Sequence, residues 1–66
     1  MKVFCTAVVE DPRLQDNLCE CIGILGGVPN KFGQVISIEY TGEKSKIDQF
    51  IKLFEHYSEH EIHTQF

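Results

Sequence analysis

The chain has too few cysteines, in an odd number, to be built on disulfides. Its 66 residues include Cys5, Cys19 and Cys21, so one thiol would stay unpaired in any disulfide scheme. No apolar signal segment stands ahead of the first strand-like run, and we therefore expect reduced thiols and a cytoplasmic location. A domain of this size buries only about 60% of the surface of its unfolded chain. With disulfides disfavoured, pairing with a second copy becomes the leading source of extra stability.

Long apolar stretches and basic residues are also scarce. No run approaches the roughly 20 apolar residues that cross a bilayer, so we expect no membrane contact. Six basic residues stand against ten acidic ones, for a formal net charge of −4, which opposes binding to nucleic acid. Six of the acidic residues fall in residues 34–66, a distribution that would suit a protein partner with a basic surface.

The motifs of common catalytic sites are missing as well. There is no Gly-x-Ser-x-Gly element and no glycine-rich phosphate loop, and the serines have no evident base. Domains this small rarely enclose a substrate pocket of about 300 Å³. The sequence therefore predicts a protein that is not an enzyme and that holds no cofactor.

Histidines and cysteines raise the question of a metal site. His60 and His63 should point to opposite sides of an extended segment, and His56 should face solvent on the preceding helix. Because a metal ion needs convergent ligands, we predict no metal site. We expect Cys5 to lie in the sheet and Cys21 to be a small buried hydrophobe, both inert because no basic or histidine neighbour is near in the sequence.

The first half of the chain predicts a strand followed by a helix. Residues 2–10 are apolar on both alternating sides, which is typical of a central strand. Asp11 and Pro12 are typical of a helix start, and Gly26 and Gly27 of a helix end. The predicted helix, residues 12–25, has a buried stripe made of Leu14, Leu18, Cys21, Ile22 and Leu25.

The second half repeats this order. Residues 28–33 predict a turn with at most a short edge strand, because Pro29 cannot join a central one. Residues 34–41 predict a strand, residues 43–57 a helix, and residues 61–66 a last strand. The apolar stripe of the second helix consists of Ile47, Phe50, Ile51, Phe54 and Tyr57.

This order predicts a single α+β domain over residues 1–66, of the ferredoxin-like split βαβ class. A three- or four-stranded antiparallel sheet would have its first strand between the 34–41 strand and the last strand. Both helices would cover the same face, so the other face would be open. The side chains predicted to point outward there are Phe4, Thr6, Val8, Val35, Ser37 and His63.

An uncovered apolar patch usually indicates an interface. We predict Phe4, Val8 and Val35 as its members, with Leu53 as a further candidate because it lies off the stripe of the second helix. The alternative is that these are scattered surface apolar residues, which are common.

Residues 36–64 resemble the second half of an ACT domain, and are most similar to those of the small regulatory subunits of acetolactate synthase. The matching residues are Thr41, Gly42, Lys46, Ile47, Phe50 and Ile51. The resemblance implies a dimeric, non-enzymatic regulatory fold. In that family the turn between the first strand and the first helix borders an amino-acid effector site. The resemblance thus implies a ligand site near Asp11, Arg13 and Asn30, where Arg13 replaces the family's usual glycine.

Two functions follow as hypotheses. The chain is either a dimeric regulatory module that senses an amino acid or another small molecule, or an acidic adaptor or inhibitor without a small ligand. In the second case its acidic half would meet a basic partner surface.

Overall fold

The computed structural model describes residues 1–65, which form one open antiparallel sheet and two helices. The elements are β1 (Lys2–Val8), α1 (Pro12–Ile24), β2 (Asn30–Phe32), β3 (Val35–Thr41), α2 (Lys44–Glu55) and β4 (His60–Gln65). The strands lie in the order β2-β3-β1-β4. The ferredoxin-like prediction is confirmed, and the segment before β3 does include a short edge strand. Phe66, predicted to end the last strand, lies outside the described residues.

The first strand is central, as its apolar pattern predicted. β1 pairs with β3 on one side and with β4 on the other, and Cys5 lies opposite Ile38 and Ile62. Alternate residues of the strand point to one face and are buried there: Val3, Cys5, Ala7 and, just past its end, Val9. Ile36 and Ile38 of β3 extend this buried layer.

Helix α1 begins and ends where its flanking residues require. Asp11 is the N-cap, and its carboxylate accepts a hydrogen bond from the Arg13 backbone N–H at 2.9 Å, with Pro12 next in the chain. After the helix, Gly26 has a φ of +93°, a left-handed conformation that glycine adopts freely. A Cβ on Gly27 would come within 2.9 Å of Ile22 Cγ2, so only glycine fits there.

The buried side of α1 differs from the predicted stripe. Leu14 and Cys21 are exposed, and the prediction that Cys21 is buried is wrong. The residues of α1 that are buried are Gln15, Leu18 and Ile22. The physical reason lies at Gln15, whose Nε2 donates a hydrogen bond of 2.6 Å to the carbonyl oxygen of Val9. With Gln15 on the buried side, Leu14 and Cys21 fall on the outer side of the helix.

Helix α2 follows its predicted stripe. Its fully buried residues are Ile47, Phe50 and Phe54, while Ile51 and Tyr57 are half-buried against the same core. The Phe50 ring lies 4.9 Å from that of Tyr40 on β3. No helix within residues 1–65 is both long and apolar enough to span a bilayer.

Candidate functional site: the open face of the sheet

The side of the sheet turned away from the helices is an uncovered surface, which we call the open face. Residues directly opposite each other in an antiparallel sheet point to the same side. Phe4 lies opposite Glu39 and His63, and Thr6 lies opposite Ser37 and Glu61. Val8 lies opposite Val35, which in turn lies opposite Phe32 of the edge strand. The open face thus consists of Lys2, Phe4, Thr6, Val8, Asn30, Phe32, Val35, Ser37, Glu39, Glu61 and His63.

Apolar side chains on the open face are accessible to solvent. Phe4 is 42% exposed and Val35 37%, while Val8 is half-buried. The predicted outward direction of these three residues is confirmed. Phe32, which is 88% exposed, was missed because residues 28–33 were interpreted as a turn. Pairing of β2 with β3 brings Phe32, Val35 and Val8 into one apolar row across three strands.

The open face carries one ion pair and one contact between a histidine and a carboxylate. Lys2 Nζ lies 2.5 Å from Glu39 Oε1, and His63 Nε2 lies 3.7 Å from Glu61 Oε2. All four side chains are about half exposed or more, so solvent screening makes each pair worth little in stability. Because Lys2 offsets Glu39, the acidity of the chain is not concentrated on this surface.

Two clefts open onto this side of the sheet. One, of about 190 Å³, is lined by Lys2, Phe4, Glu39, His63 and Gln65. The other, of about 400 Å³, lies between the ends of β1 and β3 and the residues 58–61. Both are shallow and open to solvent.

Leu53 does not lie on the open face. It is on α2, half-buried against the core, and it lines a groove on the helix side with Cys21, Ile24 and Leu25. The residues predicted as one interface therefore belong to two surfaces, with Phe4, Val8 and Val35 on the open face and Leu53 behind it.

The predicted ligand residues do not line one cleft. The carboxylate of Asp11 caps α1 and lies 3.8 Å from Arg13 Nε. The cleft of about 520 Å³ beside Asp11 is formed with Leu14 and residues 56–59, and neither Arg13 nor Asn30 lines it. Asn30 lies opposite Ser37, in line with Thr6 in the middle of the sheet.

The histidines lie apart from one another. His60 pairs with Ala7 and His63 with Phe4, so the two point to opposite faces, as predicted. His60 Nδ1 donates to the carbonyl oxygen of Tyr57 at 2.5 Å, which leaves Nε2 as its free nitrogen. His56 is exposed at the end of α2. Within residues 1–65 no three His, Cys, Asp or Glu side chains converge on a possible metal position.

The three cysteines have different surroundings. Cys5 is fully buried, and that burial raises its pKa to about 11. Cys19 is half-buried, and Cys21 is exposed in the same groove as His56. Burial raises the pKa of Tyr57, and the nearby thiols of Cys21 and Cys19 raise it further.

Comparison of the chain with protein-family models, curated proteins and solved structures gives no match.

Proposed function

We propose that this chain is a non-enzymatic regulatory module of the ACT type, and that it pairs with a second copy of itself through the open face. The observation that supports this most directly is the apolar row of Phe32, Val35 and Val8 on a sheet face without a helix over it, with Phe4 exposed on the same face beyond Thr6. Apolar side chains exposed together on one surface often mark an interface. A second copy supplies the missing apolar cover.

The size of the open face sets the expected strength of this pairing. Seven residues of β1 span about 23 Å, and four strands together are about 19 Å wide. The projected area is thus roughly 440 Å² per protomer, or about 900 Å² in total, below the ~1,200 Å² at which stable interfaces begin. We therefore expect a reversible dimer that forms at micromolar or higher concentration.

The chemistry of the face suits a symmetric contact. Phe4 lies on the central strand, and aromatic anchors near the middle of an interface contribute most to binding. Around it, Lys2 is paired with Glu39 within each protomer, and His63 lies beside Glu61. Two such faces can meet without a concentration of like charge between them.

Sedimentation velocity over a range from low micromolar to millimolar concentration tests the proposal. The wild-type protein should change from monomer to dimer across that range, while Val35→Lys should stay monomeric because it places a charge in the contact. Ile24→Lys is the matched control, since it puts the same charge at an exposed apolar position on the helix side. Dimers of equal strength in Val35→Lys and the wild type would rule out the open face as the contact.

The amino-acid site is tested separately. Ligand at a hundredfold excess over its dissociation constant stabilises a binding protein by about 2.7 kcal/mol. Thermal unfolding with each of the common amino acids should show this stabilisation for one class, and Arg13→Ala should remove it. The absence of a response to every amino acid would contradict the sensing role but not the dimer.

The acidic adaptor has less support. Of the acidic residues in the second half, Glu39 and Asp48 are within ion-pair distance of Lys2 and Lys44. Glu39 lies on the open face and Asp48 on α2, so the two do not form one acidic patch for a basic partner.

A further inference from the structure

The geometry points to a second binding site, for a free single-chain amphiphile with an anionic head, such as a medium-chain carboxylic acid. The site is the groove between α1 and α2, which we call the helix groove. Its volume is about 350 Å³, within the range of small-molecule sites. Its lining residues are Cys21, Ile24, Leu25, Gln49, Lys52, Leu53 and His56.

The helix groove exists because the two helices rest on different strands. α1 packs mainly on β3, whereas α2 packs on β1 and β4. The space between their second halves is closed from below by Leu25 and Leu53, which are half-buried against the core. The floor is therefore apolar and continuous with the interior, while the top is open to solvent.

The walls are apolar as well. Ile24 is 75% exposed, and the Cys21 thiol is also accessible. The rotation of α1 about its axis that buries Gln15 also leaves Cys21 on the outer side of the helix, beside Ile24. An alkyl chain lying along the groove would remove these side chains from water, which is favourable in proportion to the apolar area covered.

The charge of the groove selects the head group. Among its lining residues the only charged or readily charged side chains are Lys52 and His56, in a chain with a net charge of −4. Lys52 takes part in none of the ion pairs formed within residues 1–65. The positive charge of Lys52 in the last turn of α2 stabilises the C-terminal end of that helix, but this role does not explain why apolar side chains are exposed beside it. An amphiphile with its carboxylate beside Lys52 and its alkyl tail on Ile24 and Leu53 would account for both the lysine charge and the exposed apolar walls.

The number of lining residues favours a small molecule over a macromolecule. The open face offers a protein partner eleven residues and the groove only seven, whereas a specific protein interface uses roughly 20–30 residues a side. Attachment to an acidic membrane generally needs a cluster of about 4–8 lysines and arginines, and the groove has one lysine. A free amphiphile is the occupant that matches both its size and its charge.

Titration with decanoate, below its micelle concentration and followed by amide chemical shifts, tests the inference. Shifts should cluster at the second halves of α1 and α2, and affinity should rise roughly two- to fourfold per added CH₂ from hexanoate to decanoate. Bound decanoate should also slow the alkylation of Cys21 by iodoacetamide at least fivefold. Equal binding of decyltrimethylammonium, or binding to acidic phospholipid vesicles but not to decanoate, would overturn the inference.

Two disruptive substitutions at exposed positions, each with a control, complete the test. Ile24→Asp and Lys52→Gln should each weaken decanoate binding about tenfold or more, and Lys52→Arg should retain it. Lys44→Gln removes a lysine from the same helix, outside the groove, and should leave the affinity unchanged. Circular dichroism establishes that each variant is folded. Unchanged affinity in both Ile24→Asp and Lys52→Gln would refute the site.

Val35→Lys, which tests the dimer, should not affect decanoate binding. A failure of the decanoate test can therefore be distinguished from a failure of the dimer test.

Discussion

The two sides of β1 differ in their cover, since one lies beneath the helices and the other is open to solvent. On one side Val3, Cys5 and Ala7 are at most 1% exposed beneath the helices. On the other side Phe4 and Val8, no less apolar, remain partly in water. The difference does not come from the residue types but from the number of helices, since two can cover only one face of four strands. Apolar residues on the covered side should therefore stabilise the monomer, and those on the open side should mainly affect association.

The largest expected effect is on the covered side, at Phe50. Its ring is fully buried between Tyr40 and Gly27, and Phe→Ala changes in cores cost about 3–5 kcal/mol. A domain of this size has little more stability than that. We expect Phe50→Ala to be largely unfolded at 25 °C by circular dichroism and Phe50→Leu to unfold at lower urea concentration than the wild type. A folded Phe50→Ala with wild-type stability would show that the helices do not form the core with this face.

The second prediction also concerns the covered side, and it is a pH dependence of stability that arises from Cys5. Burial raises the pKa of Cys5 from 9.0 to about 11, so the folded protein favours the neutral thiol. Between these values the unfolded chain loses its proton first, and stability falls as pH rises. The stabilisation is fully present below pH 9.0, and its loss by pH 11 is on the order of 2–3 kcal/mol. Urea unfolding at a series of pH values measures it.

Cys5→Ala provides the control for this pH effect. Tyr57, whose pKa is also raised by burial above its ordinary value of 10.0, contributes in the same direction, and its range overlaps that of Cys5. Only the difference between wild type and Cys5→Ala isolates the thiol. Parallel pH profiles of the two proteins would mean that Cys5 is accessible to water in the folded state.

The two helices show how far the fold could be predicted from the sequence. In α2 the apolar stripe coincides with the buried side because each of its buried residues is apolar. In α1 the pattern of apolar residues was misleading, since a polar residue, Gln15, is buried through its hydrogen bond to Val9. Counting apolar positions cannot detect such a bond, because it depends on where the carbonyl oxygen at the end of β1 comes to lie.

The candidate surfaces were predictable to different degrees. The open face follows from element order alone, and Phe4, Val8 and Val35 were placed on it correctly. Phe32 was missed because its direction depends on the pairing of a three-residue strand. The helix groove could not be foreseen, since Cys21 and His56 are far apart in the sequence and meet only through the placement of two helices.

The third prediction tests this difference between the helices. Gln15→Leu would improve the apolar pattern of α1, yet it removes the only side chain that donates to Val9 O among the hydrogen bonds of the described residues. A buried acceptor left without a partner costs about 1–3 kcal/mol. We expect Gln15→Leu to lower the free energy of unfolding by this amount, measured in urea. Gln49→Leu, at an exposed position of α2, is the control and should have a much smaller effect. A more stable Gln15→Leu would mean that burial of the leucine outweighs the lost hydrogen bond.

The smallest effect on the monomer is expected on the open side of β1. Phe4→Thr removes an aromatic ring that is 42% exposed, but threonine retains strand propensity, so the change should stay within about 0.5 kcal/mol in dilute solution. At millimolar concentration the same substitution should abolish most of the dimer, because the ring is then the centre of the contact. Urea unfolding at both concentrations measures the two effects on one variant. If Phe4→Thr destabilises the dilute monomer by several kcal/mol, the ring is part of the core, and the two sides of β1 do not differ in role.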